Sequence, residues 1–158
     1  MTSTLTAATL SVTLTESINL NGYDQGSKNI TTIASIAEVS KRIVTVTTTE
    51  AVVATFSAAI AAGNYIAANI RYIRLTNLDD TNFITLTFRN QDNDEFAVKV
   101  DAGNSFLLYG DNANGMTAIF NATEDADAAS STNFGSLTNL QADADTASCD
   151  LEMFIASV

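Results

Sequence analysis

The chain has no histidine, no tryptophan and no proline, and its single cysteine is Cys149. Histidine is the commonest general base and metal ligand near neutral pH. Its absence excludes Ser–His and Cys–His triads and zinc sites that need imidazole. One cysteine cannot close an intramolecular disulfide, so the fold does not depend on an oxidising compartment. Cationic charge is also scarce: seven Lys and Arg stand against 18 Asp and Glu, a net charge of −11. All seven basic residues precede residue 100, while residues 100–158 hold nine acidic residues and no basic one. Nucleic acid and anionic membrane surfaces are both recognised by Lys and Arg, so neither is expected as a partner. The acidic half reads as a solvated face that resists aggregation.

Long hydrophobic runs are missing too. The longest, "AVVATFSAAIAAG" (51–63), is interrupted by Thr55 and Ser57 and is too short to cross a bilayer. The N-terminal "MTSTLTAATL" lacks a basic segment followed by an apolar one. No signal peptide is therefore expected, and the protein is read as soluble and made inside a cell.

What is present favours β structure. At 158 residues, with 46% hydrophobic and 16% charged residues, the expectation is one domain over 1–158, with residues 1–8 as an N-terminal arm. Threonine occurs 22 times, often alternating with Val, Ile or Leu as in "TLSVTLT" and "IVTVTTTE". β-Branched side chains fit a pleated surface and lose rotamer freedom in a helix. Period-two alternation places Ile84, Leu86 and Phe88 on one face of a strand, then Phe96, Val98 and Val100, then Cys149, Leu151, Met153 and Ile155. Short Asn/Asp/Gly connectors separate these runs: 77–82, 90–94, 101–105 and 110–115. Their spacing reads as an antiparallel meander from Ile70 to about Phe120.

The N-terminal half is less regular. Residues 9–17 read as a strand with Leu10, Val12 and Leu14 on one face, and 21–29 as a loop. "NITTIASI" (29–36) fits a strand or a helical turn. Residues 42–56 hold two strands meeting near Glu50, and "SAAIAAG" (57–63) fits one helical turn ended by Gly63. Residues 121–147 read as a long loop with one short strand, "FGSLTNL". The expected fold class is all-β: an antiparallel, jelly-roll-like β-sandwich with a long C-terminal loop region. With no proline to block its edge strands, charge or a neighbouring subunit must cover them.

The candidate metal ligands are Asp92, Asp94 and Glu95 in one turn and Asp79 and Asp80 in another. Calcium takes six to eight oxygens, and two such turns converging at one end of a sandwich would supply several. Neither turn has the spacing or the distal Glu of an EF-hand loop, so hairpin turns with solvated carboxylates are the preferred reading and no metal is assigned. Eighteen carboxylates with no sign of pairing do not suggest acid–base catalysis. Cys149, on an apolar strand face with no basic neighbour in sequence, reads as a buried thiol rather than a nucleophile. "DAGNSFLLYG" has a lone glycine before a strand, which a β-turn explains without a phosphate loop. Arg71 and Arg74 fall on opposite faces of one strand and form no basic stripe; they are expected to pair with the acidic half. No catalytic residue and no cofactor is assigned.

The segment "IRYIRLTNLDDTNFITLTFRNQDNDEFAVKVDAGNSFLLYG" (70–110) resembles small virion structural proteins of tailed bacteriophages, especially marine ones. The shared plan is a strand ending in Arg74-x-Thr76-Asn77, an Asp/Asn turn, an alternating strand, a second polar turn and a strand closing on Gly-x-Ser-Phe. The C-terminal "ADTASCDLEMFIASV" is similar to the ending of the same group. The resemblance covers a third to a half of the chain and carries no active-site residues. It implies a non-enzymatic virion component, assembled in the host cytoplasm, whose partners are the major capsid protein and copies of itself, a homotrimer being expected. A capsid decoration (cement) protein is the first reading. A tail, neck or fibre protein is the alternative, and a calcium- or carbohydrate-binding receptor module is a further one.

Overall fold

A computed structural model describes residues 5–121 and 134–158. The chain is almost entirely β and divides into two compact units, Met1–Glu38 (with Val158) and Val39–Ser157. Where the sequence suggested one domain with an arm over 1–8, the N-terminal unit is a longer element built of paired strands. Residues 1–4 of that arm lie outside the described residues.

The N-terminal unit is a ribbon of two antiparallel strands, β1 (Ala8–Glu16) and β4 (Ser27–Ile36), with a small hairpin at its tip. Leu10 sits opposite Ile33, Val12 opposite Thr31 and Leu14 opposite Asn29 on one face, while Ile30, opposite Thr13, lies on the other. The segment 29–36 is thus strand and not a helical turn. The stretch read as a loop at 21–29 contains part of the tip hairpin, β2 (Asn19–Leu20) and β3 (Tyr23–Asp24). Asn21 and Gly22, both at positive φ (53° and 85°), make the two-residue turn between them. That turn's twist matches the twist of flanking strands and selects Asn-Gly.

The second unit is a β-sandwich. Its strands are β5 (Glu38–Val46), β6 (Ala51–Ser57), β7 (Asn64–Ile66), β8 (Ile70–Asn77), β9 (Ile84–Asn90), β10 (Glu95–Val100), β11 (Ser105–Tyr109), β12 (Leu137–Ala144) and β13 (Cys149–Ser157). One sheet has the order β10-β9-β12-β6-β7 and the other β11-β8-β13-β5. The described pairings are antiparallel except β6 with β7. Phe88, Ile84 and Leu86 from the first sheet pack with Ile73, Leu75, Leu151, Met153 and Ile155 from the second, all at most 2% exposed. These are the faces that the alternation predicts.

Three local expectations are corrected. The run from Ile70 onward is not a meander. β8 and β9 lie in different sheets, β9 and β10 form a hairpin, and the chain then returns so that β11 pairs with β8. A six-residue polar connector serves an arch between sheets as well as a turn within one, so spacing alone does not choose. Residues 57–63 form bends rather than a helical turn. Ser57 Oγ donates to the Ala59 carbonyl at 2.5 Å, and Asn64 Oδ1 accepts from the Ala61 N–H at 2.6 Å. The only described helical turn is the single 3-10 turn Ala67–Asn69. Finally, the strand expected within 134–140 starts at Leu137 and runs on to Ala144, as the central strand of the five-stranded sheet. The rest of the expected long loop, 122–133, lies outside the described residues.

Candidate functional site

The two acidic turns singled out in the sequence do not converge. Asp79 and Asp80 precede β9 and Asp92, Asp94 and Glu95 follow it, so they stand at opposite ends of a seven-residue strand, about 20 Å apart. Within each turn the carboxylates are engaged by neighbouring groups of the same turn or hairpin. Asp79 Oδ1 accepts from the N–H groups of Thr81 (2.8 Å) and Asn82 (2.6 Å), and these bonds hold its carboxyl below the usual range. Asp80 takes the Thr81 hydroxyl at 2.9 Å. Asp94 is bonded by Asn90 Nδ2 at 3.1 Å, Asp92 by Gln91 Nε2 at 3.1 Å, and Glu95 by Arg89. No group of three or more His, Cys, Asp or Glu is arranged to hold a metal ion among the described residues.

Two residues that the sequence reading passed over organise these turns. Asn77 and Asn90, at 0% and 1% exposure, close β8 and β9. Asn77 Oδ1 accepts from the Asp79 N–H at 3.0 Å. Its Nδ2 donates to the carbonyls of Asn82 (2.8 Å) and Val100 (3.1 Å), tying the end of one sheet to the end of the other. Asn90 Oδ1 accepts from Asp92 (2.9 Å) and Asp94 (2.8 Å), and its Nδ2 reaches Phe134 O at 2.5 Å. Both stand in an Asn-x-Asp triplet in which the Asn side chain takes the N–H two residues on, the Asx-turn pattern. That triplet was the available signal. Asp111, capping Ala113 (2.9 Å) and Asn114 (2.7 Å), repeats the device in the fourth connector. In the third, Asn104 N–H donates to Asp101 O at 3.0 Å beside Gly103 at φ 71°, a plain turn before β11.

Cys149 is 1% exposed; burial and then the nearby Asp79 push its thiol pKa up, which disfavours the thiolate. Arg74 does pair with the acidic half, through Glu152 at 2.6 Å, while Arg71 bonds the Ala68 carbonyl at 2.7 Å.

The outer faces of the two sheets differ in chemistry. On the five-stranded sheet the outward rows are Glu95–Arg89–Asn139, Ala97–Thr87–Gln141 and Lys99–Thr85–Asp143, almost entirely polar. On the four-stranded sheet they are Ser105–Thr76–Glu152, Leu107–Arg74–Phe154 and Tyr109–Tyr72–Ala156. Tyr72 meets the rings of Tyr109 and Phe154 edge-on at 5.3 and 6.0 Å, and Arg74 lies over Phe154 at 5.9 Å. Glu152 accepts from Lys41 (2.9 Å) as well as Arg74, and β5 adds Val39 and Ile43, both more than half exposed.

Hydrogen bonds from Lys41 and then Arg74 lower the Glu152 pKa from its ordinary value of 4.5. A lowered carboxyl pKa stabilises the fold fully above the unfolded value, and that stability is lost as pH falls through the folded one. The melting temperature should therefore drop as pH is taken from about 5 to about 3. It should drop less steeply in Glu152→Gln, a difference that calorimetry across that range would detect.

The ribbon presents a surface of another kind. Ile36 is buried and Leu10, Val12, Ile33 and Ala37 are half-buried, while every other described residue from 5 to 38 is exposed. Leu14, Ile18, Leu20, Tyr23 and Ile30 are among them, from 47% to 72% exposed. In a two-stranded ribbon each strand also has one edge that the other strand does not hydrogen-bond.

No family model, no curated protein and no solved structure matches the chain.

Proposed function

We propose that the chain is a non-enzymatic virion structural protein, a capsid decoration protein that binds the assembled head and stabilises it. The observation that carries this reading is the β1–β4 ribbon. A two-stranded ribbon is marginally stable in water by itself, and exposed apolar side chains along it favour a covered state. Its strand edges suit pairing with a strand of a protein shell, where main-chain bonds supply affinity and alternate side chains supply specificity. Its charge is low: Glu16, Asp24 and Glu38 against Lys28, in a chain of net −11.

The sandwich adds support. The order β11-β8-β13-β5 facing β10-β9-β12-β6 interleaves two Greek keys, which favours reading it as a jelly roll. That architecture recurs in viral capsid domains, although fold alone does not decide function. The partners on this reading are the major capsid protein and other copies of the chain, with a homotrimer expected, and the protein resides in the virion.

The test is saturable binding of the purified protein to capsids of its virus, with a rise in the temperature at which they disrupt. Ile30→Asp and Leu14→Asp, which lie on opposite faces of the ribbon, are expected to weaken binding by about tenfold or more for whichever face is buried. Hundreds of copies per virion accord with head decoration. Six, twelve or a few tens, with binding to tail components instead of capsids, would replace this reading with a tail or neck protein.

A further inference from the structure

We propose that the outer face of the β11-β8-β13-β5 sheet is a self-association surface on which a second copy of the chain packs. This is a two-fold contact between copies, distinct from the contacts of the homotrimer expected above, and it rests on that reading only in expecting copies to meet.

The first ground is composition. Tyr, Phe and Arg are the residues enriched where protein partners meet, and they carry most of the binding energy when clustered centrally. Here Tyr109, Phe154 and Arg74 lie half-buried around Tyr72, itself 4% exposed, with the half-buried Leu107 and the exposed Ile43 toward the flanks. A solvated sheet face has no need of such a group. The outward rows of the opposite sheet, by contrast, hold Thr, Asn, Gln, charged residues and one Ala, with no aromatic ring.

The second ground is charge, and it selects the occupant. The charged residues of the face are Lys41, Arg74, Asp150 and Glu152, which sum to zero. Both cations are bound to Glu152, and Asp150 takes the Thr45 hydroxyl at 2.9 Å. Two chains of −11 each repel wherever carboxylates accumulate, as in the turns holding Asp79, Asp80, Asp92 and Asp94. On a face whose charges are already closed, two copies meet without that cost. An anionic lipid or a nucleic acid would find both cations engaged. A basic partner would be drawn to the acidic turns instead.

Sedimentation velocity on the full-length chain over a concentration series tests the proposal. The wild type should assemble reversibly, and Ile43→Glu and Leu107→Glu should each raise the concentration needed by about tenfold or more. Ile43 is 58% exposed, so its replacement should leave the melting temperature near that of the wild type and provides a readout separate from folding. Thr85→Glu, on the opposite sheet, should change nothing. A wild type that stays monomeric throughout overturns the proposal. So does an assembly that survives both substitutions, or one that only Thr85→Glu disrupts. Capsid binding is scored separately: an intact oligomer that ignores capsids sinks the decoration reading alone, and a monomer that binds them sinks this one alone.

Discussion

Phe88→Ala should remove about 4 kcal/mol of stability from the sandwich, the largest loss expected of any single truncation. Phe88 is 0% exposed at the middle of the core face of β9. Its ring stacks on Phe96 at 4.9 Å and meets Phe106 at 5.6 Å, so it joins a strand of its own sheet to one of the facing sheet. Phe96 in turn holds Phe120 and Phe134 edge-on at 5.2 and 5.1 Å. Truncation therefore opens a cavity and also withdraws support from Phe96 and Phe106 directly and from Phe120 and Phe134 through Phe96. Denaturant unfolding should show the midpoint moving while the slope stays near that of the wild type, because the surface exposed on unfolding changes little. Phe88→Leu, which keeps most of the volume, should cost less than half as much. A loss below about 2 kcal/mol for the alanine variant would mean that the aromatic group relaxes around the gap.

Asn77→Ala should cost about 3 kcal/mol, although it removes only a small side chain. The carbonyls of Asn82 and Val100 lose their donor and the Asp79 N–H loses its acceptor, in a position with no exposure to water. Asn77→Asp separates hydrogen bonding from volume. The carboxylate keeps the shape but faces two carbonyl oxygens without a proton to give them, so its pKa must rise above the unfolded value. It should be at least as destabilising as alanine at neutral pH. Part of the loss should return as pH falls through that raised pKa and the acid becomes a donor. Melting curves at pH 7 and pH 5 would check this, and an aspartate variant as stable as the wild type at pH 7 would refute it.

The strands were legible in the sequence because their side chains alternate. The inward sets on β9, β10 and β13 could be read directly, since Ile84, Leu86 and Phe88 leave no other face for the core. Pairing was not legible. β8 and β9 are joined by an ordinary turn-like connector, yet β8 takes β11 and β13 as neighbours, and nothing in one strand's alternation names its partner. β12 was largely missed because Gln141, Ala142 and Ala144 lack the bulky β-branched residues that usually mark strands. A central strand, hydrogen-bonded to a neighbour along both edges, tolerates small side chains that an edge strand would not.

The site was less legible than the fold. Counting carboxylates drew attention to Asp79, Asp80, Asp92, Asp94 and Glu95. The residues that do the structural work there are the uncharged Asn77 and Asn90, which the Asn-x-Asp spacing would have flagged. The aromatic face was hidden for a different reason. Tyr72, Leu107, Tyr109 and Phe154 come from three strands spread over more than 80 residues, and only the pairing of β11, β8 and β13 lines them up.

The placement of the last two strands bears on how the molecule is made. β12 lies between β9 and β6, and β13 between β8 and β5, so each sheet is completed only by a strand from the final 22 residues. On a ribosome, β5 through β11 emerge before the strands that join them to their sheet neighbours. The ribbon and the β6–β7, β9–β10 and β8–β11 pairs are the described pairings available earlier. Non-local pairing of this kind slows folding and prolongs the exposure of unpaired edges. With no proline to interrupt those edges, they stay open to neighbouring copies until β12 and β13 arrive.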